Sequence, residues 1–245
     1  RLIYSTITAP YSRDPLDADS WANMPVMRML HLTPIEINRH EDLASTVLSS
    51  FSYNDKSHEL HWVVKPGLRF SDGTAITPED VAFAVLRMAH KRPKFPVIRD
   101  IVGLSSWLKQ RAPLTSWPTG IRIDGKNIQI RFERKVSRPL HRFALEIFSI
   151  IPRASVDLTS GNLKSGAVPT SGYYELASER NGSIDFKLRP EFSMIHGEAA
   201  PRSIRFEYIP ASKVAVAASA LDPLTVIAGN DHYLNPLELK ELEKR

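Results

Sequence analysis

The stretch VVKPGLRFSDGTAITPEDVAFAVLRM, residues 63–88, decides the fold of the chain. Its first half predicts two tight turns, at Pro66-Gly67 and at Asp72-Gly73, because glycine takes positive φ at no steric cost. The apolar residues before and between the turns alternate, as they do in a strand that buries one face. The first half therefore predicts a strand that runs into a stiff corner.

The second half of the stretch predicts a capped helix. Thr77 suits the N-cap, Pro78 suits the first helical position, and Asp80 suits the third position of a capping box. The two halves together predict a corner that holds a helix against a sheet. Four apolar residues recur at helical spacing, so we expect this helix to pack by a single stripe, formed by Val81, Val85, Met88 and Ala89.

Three hairpins are predicted along the rest of the chain. DLASTVLSSFSY (42–53) and LHWVVK (60–65) flank a polar turn, and IRIDGKNIQIRF (121–132) has Asp-Gly between two alternating apolar runs. YYELASERNGSIDFKLRP (173–190) has Asn-Gly in the same position. Asp-Gly and Asn-Gly are typical of tight hairpin turns, and the polar turn serves the first pair. Each pair of runs is therefore predicted to form neighbouring antiparallel strands.

Further elements are predicted towards both ends. Residues 2–8 and 203–210 are expected to form strands, and SRPLHRFALEIFSIIP (137–152) predicts a helix followed by an apolar strand. Between Trp21 and Asn38 two prolines leave room for short elements only. Beyond residue 211 the patterns predict a helix, a buried strand and a final amphipathic helix, at 212–222, 223–229 and 235–245.

The composition is that of a folded protein. The 245 residues are 42% hydrophobic and 24% charged, which allows one large domain or two modest ones. No apolar run is long enough for a membrane span, and the first residues lack the pattern of a signal peptide. Cysteine is absent, which excludes disulfides and thiolate sites. The net charge of +5 comes from scattered basic residues without interleaved aromatics, so we do not expect a nucleic-acid interface.

No motif indicates catalysis or metal binding. GIRIDGKN (120–127) nearly matches a phosphate-binding loop, but it lies in a predicted hairpin, where a type I′ turn is the better interpretation. His58 and His61 of HELH are three apart on a predicted strand and so face opposite sides. Motifs of serine nucleophiles are missing. We therefore expect no enzyme activity, no catalytic residue, no metal and no cofactor.

The 63–88 stretch closely resembles a signature of the family 5 extracellular solute-binding proteins, which serve ABC importers of dipeptides and oligopeptides. Other landmarks occur in the family's order: YSRDPLDADS (11–20), PTSGYYELASERNGSIDFKLRPEF (169–192), IRFEYIP (204–210) and ASALDPLTVIAG (218–229). The chain departs from the family pattern at Thr170, where a glycine is usual, and at Tyr173, where a proline is usual. Pro223-Leu224 also replaces the usual Gly-acidic pair.

The resemblance implies an α/β fold like a lobe of the type II periplasmic binding proteins, with a mixed sheet and flanking helices. It implies that residues 1–22 and 166–245 form the first lobe and that residues 23–165 form an inserted α+β subdomain. Proteins of this family are about twice as long, so the second lobe is expected to be absent from this chain. The corner at 63–88 is expected to brace the inserted subdomain rather than contact a ligand.

The resemblance also implies a function. We expect the chain to be a first-lobe fragment of the solute-capturing component of an ABC importer, outside the cytoplasm, with a peptide or small solute as ligand. The expected partner is the membrane permease, and the protein is expected to be monomeric. The alternative is the solute-sensing domain of a bacterial transcriptional regulator in the cytoplasm. The resemblance suggests six ligand contacts, at Ile7, Thr8, Ala9, Tyr11, Trp21 and Tyr173.

Overall fold

A computed structural model describes residues 2–6, 12–18, 23–38, 40–180, 183–192, 194–195 and 198–208. Its α-helices are α1 (Asn23–Leu30), α2 (Pro78–Lys91), α3 (Leu104–Lys109) and α4 (Pro139–Arg142). Three single 3-10 turns occur at Pro15–Asp17, Glu146–Phe148 and Arg153–Ser155. The strands are β1 (Leu2–Thr6), β2 (Glu36–Ile37), β3 (Leu43–Ala44), β4 (Leu48–Asn54), β5 (Glu59–Val64), β6 (Ile121–Asp124), β7 (Asn127–Arg131), β8 (Tyr174–Arg180), β9 (Ser183–Leu188), β10 (Met194–Ile195), β11 (Glu198–Ala199) and β12 (Ser203–Tyr208).

One four-stranded sheet is antiparallel throughout, in the order β4-β5-β7-β6. It contains the first two predicted hairpins, β4–β5 and β6–β7, and both predictions are confirmed. The turn of the second hairpin differs from the predicted type I′, because Gly125 has φ +53° whereas Lys126 is not among the residues with positive φ. Type I′ needs positive φ at both central positions, and a positive φ at the first alone is the pattern of type II′.

The other four-stranded sheet is mixed, in the order β1-β12-β9-β8. The first strand pairs in parallel with the last, from Leu2 opposite Ile204 to Thr6 opposite Tyr208, and the remaining pairs are antiparallel. The third predicted hairpin, β8–β9, is confirmed, although its predicted turn residues lie outside the described residues. The strands of the mixed sheet therefore come partly from before and partly from after the antiparallel sheet in the sequence.

Helix α2 has the predicted N-terminus. The Thr77 hydroxyl accepts a hydrogen bond from the Asp80 amide at 3.2 Å, and the Asp80 carboxylate accepts one from the Thr77 amide at 2.9 Å. The prediction of a single packing stripe is wrong, because every residue from Asp80 to Ala89 is buried. The helix lies between the antiparallel sheet and the 3-10 turn Glu146–Phe148, and neighbours on all sides cover even its polar Arg87.

The corner before α2 is bonded to the loop that leads into β8. The Ser71 amide donates to the Thr170 carbonyl at 2.8 Å, and the Thr170 amide donates back to the Ser71 hydroxyl at 2.9 Å. Arg189, which is buried, donates to the carbonyls of Arg69 (2.7 Å), Thr170 (3.1 Å) and Gly172 (3.0 Å). The corner therefore holds the mixed sheet as well as its own helix.

A second contact joins this loop to the end of α1. The Gly172 amide donates to the Leu30 carbonyl at 2.8 Å. The buried Ser171 hydroxyl accepts from the Leu32 amide at 3.0 Å and donates to the Ile150 carbonyl at 2.6 Å. We call residues 170–172 the junction, because three separate segments meet there. One continuous hydrophobic core runs through both sheets, while the predicted boundaries between lobe and subdomain stay a prediction.

Two predictions from the sequence differ from the structure or fall outside it. Within residues 137–152, the predicted helix is only one turn, α4. The apolar strand predicted to follow it, up to Pro152, is not paired in any sheet of the described residues, although Ile150 and Ile151 are buried there. The elements predicted at 212–222, 223–229 and 235–245 lie outside the described residues. Among the helices that are described, none is long and apolar enough to span a bilayer.

Replacing Gly172 with alanine is expected to destabilise the fold. A Cβ at this position would lie 2.5 Å from the Met29 carbonyl oxygen and 2.6 Å from the His31 nitrogen, which are backbone atoms that cannot rotate away. We expect a loss of at least about 2 kcal/mol in the free energy of unfolding, measured by urea denaturation. Gly125→Ala is the control, because nothing lies within 4 Å of its Cβ position and only the positive φ opposes the change.

Gly125→Ala should cost about 1 kcal/mol, the strain of an alanine in the left-handed region. Equal losses in the two variants would contradict the close approach of the junction to α1.

Candidate functional site

The candidate site lies at the carboxyl edge of the parallel pair β1 and β12. Both strands end there, at Thr6 and Tyr208, and the hairpin between β8 and β9 turns at the same edge. In open α/β sheets, ligands bind outside the carboxyl ends of the strands. Residues 7–11, which include four of the six predicted ligand contacts, follow β1 directly at this edge.

The chain returns from this edge through residues 12–18, which we call the return segment. Asp14 in this segment accepts two hydrogen bonds from Arg87 of α2, at 2.8 Å and 2.5 Å. The Arg87 side chain is 3% exposed and that of Asp14 is 23% exposed, so the pair is largely shielded from water. Paired contacts of this kind fix orientation as well as distance.

Other contacts complete the fixation of the return segment. Asp14 also accepts from the Leu16 amide at 2.9 Å and so caps the 3-10 turn that follows it. Arg87 donates its Nε hydrogen to the Gly161 carbonyl at 2.8 Å, which satisfies the remaining side of the guanidinium. Arg92 donates to the Leu16 carbonyl, and Arg13 forms an ion pair with Glu179 at the end of β8.

Residues 7–11 of the candidate site are anchored at both ends. The five residues 7–11 are covalently joined to β1 before them and to the return segment after them. Both flanking elements are held by the interior of the protein, the first by strand pairing and the second by the Asp14–Arg87 pair. Segments that join elements of a rigid scaffold are a common setting for binding residues.

His31 lies buried near the Asp14–Arg87 pair. Its imidazole is hydrogen-bonded to the Ile150 carbonyl, and its Nδ1 has no partner in the described residues. Burial lowers the pKa of His31 from 6.5 to about 4, with a further lowering by the Arg87 charge, while Asp14 and the Ile150 bond act in the opposite direction. His31 is therefore neutral in the folded protein at neutral pH.

Tyr173, the one predicted ligand contact that the structure describes, is engaged inside the protein. Its hydroxyl donates to Glu36 at 2.6 Å and accepts from Thr46, and its ring packs edge-on against Phe192 at 5.1 Å between centroids. Burial, followed by the nearby charge of Glu36, raises the pKa of Tyr173. A role in ligand binding stays a prediction, and the observed contacts of the side chain are structural.

The register also separates Tyr173 from the carboxyl edge. Leu2 pairs with Ile204, which is level with Phe186 and Leu176, so Tyr173 lies beyond the start of β1. The distance along the strands to the level of Thr6 is roughly seven residues, or about 20 Å. The structure therefore does not bring Tyr173 together with the end of β1.

The other five predicted contacts, Ile7, Thr8, Ala9, Tyr11 and Trp21, lie outside the described residues and stay predictions. Sequence analysis missed the two residues that hold the return segment, Asp14 and Arg87. The Asp-Pro dipeptide signals a turn, but nothing local to it indicates a charged partner more than seventy positions away. In the described part of the chain, no group of three or more His, Asp or Glu side chains is placed to hold a metal ion.

Comparison with known protein families gives one match. The model of the bacterial extracellular solute-binding proteins, family 5 Middle, covers residues 42–231. The chain belongs to this family. The expected recognition is thereby confirmed over most of the length of the chain, including the corner, the antiparallel sheet and the junction.

Solved structures support the expected fold of this family 5 chain. An ABC transporter substrate-binding protein from Sinorhizobium meliloti matches with a TM-score of 0.76 at 15% identity, over 99% of this chain and 46% of the other. OppA of Haemophilus influenzae, in complex with RPPGFSPFR, matches with a TM-score of 0.76 at 18% identity, over 99% and 48% of the two chains. NikA from Brucella suis, in complex with Fe(III)-EDTA, gives 0.68 at 15% identity, over 89% and 41%.

The family 5 chain spans less than half of the length of each of these structures. Comparison with curated protein sequences gives no match. At these identities the structures establish the fold, which is the expected α/β fold of a periplasmic binding protein lobe.

Removing one member of the Asp14–Arg87 pair is expected to destabilise the protein strongly. Asp14→Leu leaves the buried guanidinium without its counter-charge, and Arg87→Met leaves the carboxylate without its own. We expect each single variant to lower the free energy of unfolding by about 3 kcal/mol. The double variant Asp14→Leu, Arg87→Met should lose less than the sum of the two single variants, since it leaves no unpaired charge. Urea denaturation of all three variants measures the coupling.

Arg134→Met is the matched control for this cycle, because the pair Arg134–Asp100 has a 61% exposed arginine. Exposed ion pairs contribute little, so its stability should stay close to that of the wild type. Additive losses at positions 14 and 87 would mean that the two side chains do not stabilise each other.

Acidification is expected to destabilise the folded protein because His31 is buried in its neutral form. Because its folded-state pKa of about 4 lies below 6.5, the unfolded chain binds the proton first as the pH falls. The contribution of neutral His31 to the free energy of unfolding is fully present above pH 6.5 and is lost between pH 6.5 and 4. Between pH 7.5 and 5 this loss is about 2 kcal/mol. Urea denaturation at both pH values should show that His31→Gln removes this part of the loss.

His141→Gln, at an exposed histidine, is the control and should keep the wild-type difference between the two pH values. An unchanged difference in His31→Gln would show that the imidazole is not buried in its neutral form.

Proposed function

We propose that this chain contributes a ligand-binding lobe to the solute-capturing component of an ABC importer. The observation that carries the proposal is the family match together with a fold shared over 99% of the chain with a substrate-binding protein of an ABC transporter. The expected lobe boundaries, 1–22 and 166–245 around an inserted 23–165, are part of the proposal. The two sheets are compatible with this division, since each is formed from strands of one part.

The proposed mechanism is closure of two lobes around a solute. Residues 7–11 and Trp21 would form the wall on this lobe, carried at the carboxyl edge by β1 and the return segment. Tyr173 would act from a distance, through the packing of the junction. A site of this type gains affinity by burying about 70 to 90% of the ligand surface, so both walls are needed. In this scheme the chain binds and releases its solute unchanged, with no catalytic residue or cofactor.

The ligand classes to test come from the similar structures. These have been determined with RPPGFSPFR, with Fe(III)-EDTA and with agropinic acid. We propose a peptide or a comparably small solute as ligand, a membrane permease as partner, a location in the periplasm or outside the cell, and a monomeric state without nucleic-acid binding. Both the family and the structural matches favour import over the regulator hypothesis.

Thermal unfolding with candidate ligands tests this proposal. The product of the intact gene and the 245-residue chain would be melted with short peptides, RPPGFSPFR, Fe(III)-EDTA and agropinic acid. A ligand at a hundred times its Kd stabilises the native state by about 2.7 kcal/mol, which gives a clear rise in Tm. We expect one ligand class to raise the Tm of the intact product and to change that of the 245-residue chain little.

Two variants of the intact product sharpen the test. Tyr11→Ala should abolish the rise in Tm with the ligand that binds, whereas Ser52→Ala, an exposed change on β4, should leave it intact. The proposal fails if no ligand class stabilises the intact product. The hypothesis that both walls are needed for binding is wrong if the 245-residue chain alone is stabilised to the same extent.

A further inference from the structure

Positive charge is concentrated in the middle of the chain. Residues 23–165 contain 21 Lys and Arg against 13 Asp and Glu, an excess of eight, although the whole chain has a net charge of +5. Within this part, the segment 91–111 contains six Lys and Arg and a single acidic residue, Asp100. The described structure shows which of these cations share a surface.

Contacts between helices bring two parts of this segment together. The His90 ring at the end of α2 packs edge-on against the Trp107 ring of α3, with 6.2 Å between centroids. Lys109 and Arg111 lie two and four residues after Trp107. A hydrogen bond from the Ala112 amide to the Trp107 carbonyl keeps this end of α3 compact. The end of α3 therefore lies beside the end of α2.

A third segment also borders the end of α2. The Lys91 ammonium donates to the Asn162 side-chain oxygen at 2.7 Å, and the Lys91 Cδ lies 3.1 Å from the Cβ position of Gly161. Lys164 lies two residues beyond Asn162. Four exposed cations are thus carried by three adjoining segments, and we call them the basic rim: Lys91, Lys109, Arg111 and Lys164.

The charges of the basic rim are not neutralised by ion pairs within the described residues. Lys91 and Lys164 donate to neutral oxygens, of Asn162 and of the Ala154 carbonyl. Asp157 is an exposed acidic neighbour, and its carboxylate accepts hydrogen bonds from the amides of Thr159 and Ser160. These bonds and the Lys164 charge lower the pKa of Asp157, so it stays a single negative charge beside four positive ones.

We propose that the basic rim docks onto the anionic headgroups of a phospholipid bilayer. Each Lys or Arg near an anionic surface adds to the attraction, so four exposed cations on adjoining segments are enough for reversible docking. A nucleic acid is a poorer match, because Trp107, the aromatic residue at the centre of the rim, is buried and offers no face for base stacking.

The position of the rim gives docking a consequence beyond the proposed function. Arg92, next to Lys91, donates to the Leu16 carbonyl, so the basic rim and the return segment are connected through the end of α2. Docking by the rim would hold the candidate site close to the bilayer. The inference itself does not depend on the proposed function, since it rests on the charges of the rim alone.

Co-sedimentation with vesicles tests this inference. The chain would be mixed with vesicles of equal parts phosphatidylglycerol and phosphatidylcholine, or of phosphatidylcholine alone. At an ionic strength of about 0.01 M, where the Debye length is about 30 Å, we expect binding to the anionic vesicles only. At about 1 M, where the Debye length is about 3 Å, this binding should be lost.

Matched variants locate the surface. Lys91→Gln, Lys109→Gln, Arg111→Gln and Lys164→Gln combined should lower the partition coefficient on anionic vesicles at least tenfold. The control combines Lys56→Gln, Arg122→Gln, Lys126→Gln and Arg131→Gln, four exposed cations of the antiparallel sheet, and lowers the net charge equally. We expect this control to bind within about threefold of the wild type, because none of its four residues belongs to the three segments that carry the basic rim.

A charge-preserving variant tests whether misfolding, rather than loss of charge, causes the weaker vesicle binding. Lys91→Arg, Lys109→Arg, Arg111→Lys and Lys164→Arg combined should bind as the wild type does, with the same Tm as the glutamine variant. Equal losses in the rim and control variants would overturn the inference, as would wild-type binding by the rim variant. Failure of the wild type to sediment with anionic vesicles at low ionic strength would overturn it as well, including the case in which it binds a soluble polyphosphate instead.

Discussion

The buried guanidinium of Arg189 is the interaction on which the arrangement of the two sheets depends. A charge 3% exposed to solvent is costly unless its hydrogen bonds are made inside the protein. Here the carbonyls of Arg69, Thr170 and Gly172 receive those bonds, and Glu191 supplies the counter-charge. Because these carbonyls come from the corner and from the junction, Arg189 is satisfied only when both are in their native positions.

A second buried arginine plays the corresponding role towards the other end of the mixed sheet. Arg87 connects α2 to the return segment through Asp14, so the helix that the corner positions in turn positions the chain on the far side of residues 7–11. The corner at 63–88 therefore reaches the candidate site indirectly, through one helix and one ion pair.

Local patterns predicted those elements that are specified by neighbouring residues. The Thr77 cap, the turns at Gly67 and Gly73 and the three hairpins depend on residues a few positions apart, and each is present. Features that depend on residues distant in the sequence were not predicted correctly. The burial of α2 on every side needs the 3-10 turn at Glu146–Phe148, and the Asp14–Arg87 pair joins residues far apart in sequence. The family resemblance supplied the fold class. The ligand contact that it implies at Tyr173 stays a prediction, and the structure adds the bonds of this hydroxyl to Glu36 and Thr46.

The parallel pairing of β1 with β12 has a consequence for the synthesis of the protein. Leu2 finds its partner only at Ile204, so the first strand leaves the ribosome about 200 residues before the strand that completes its ladder. At a translation rate of about 5 to 20 residues per second, this interval is about 10 to 40 s. Throughout this interval the backbone amides and carbonyls on the pairing edge of β1 lack their native partners and are open to mispairing.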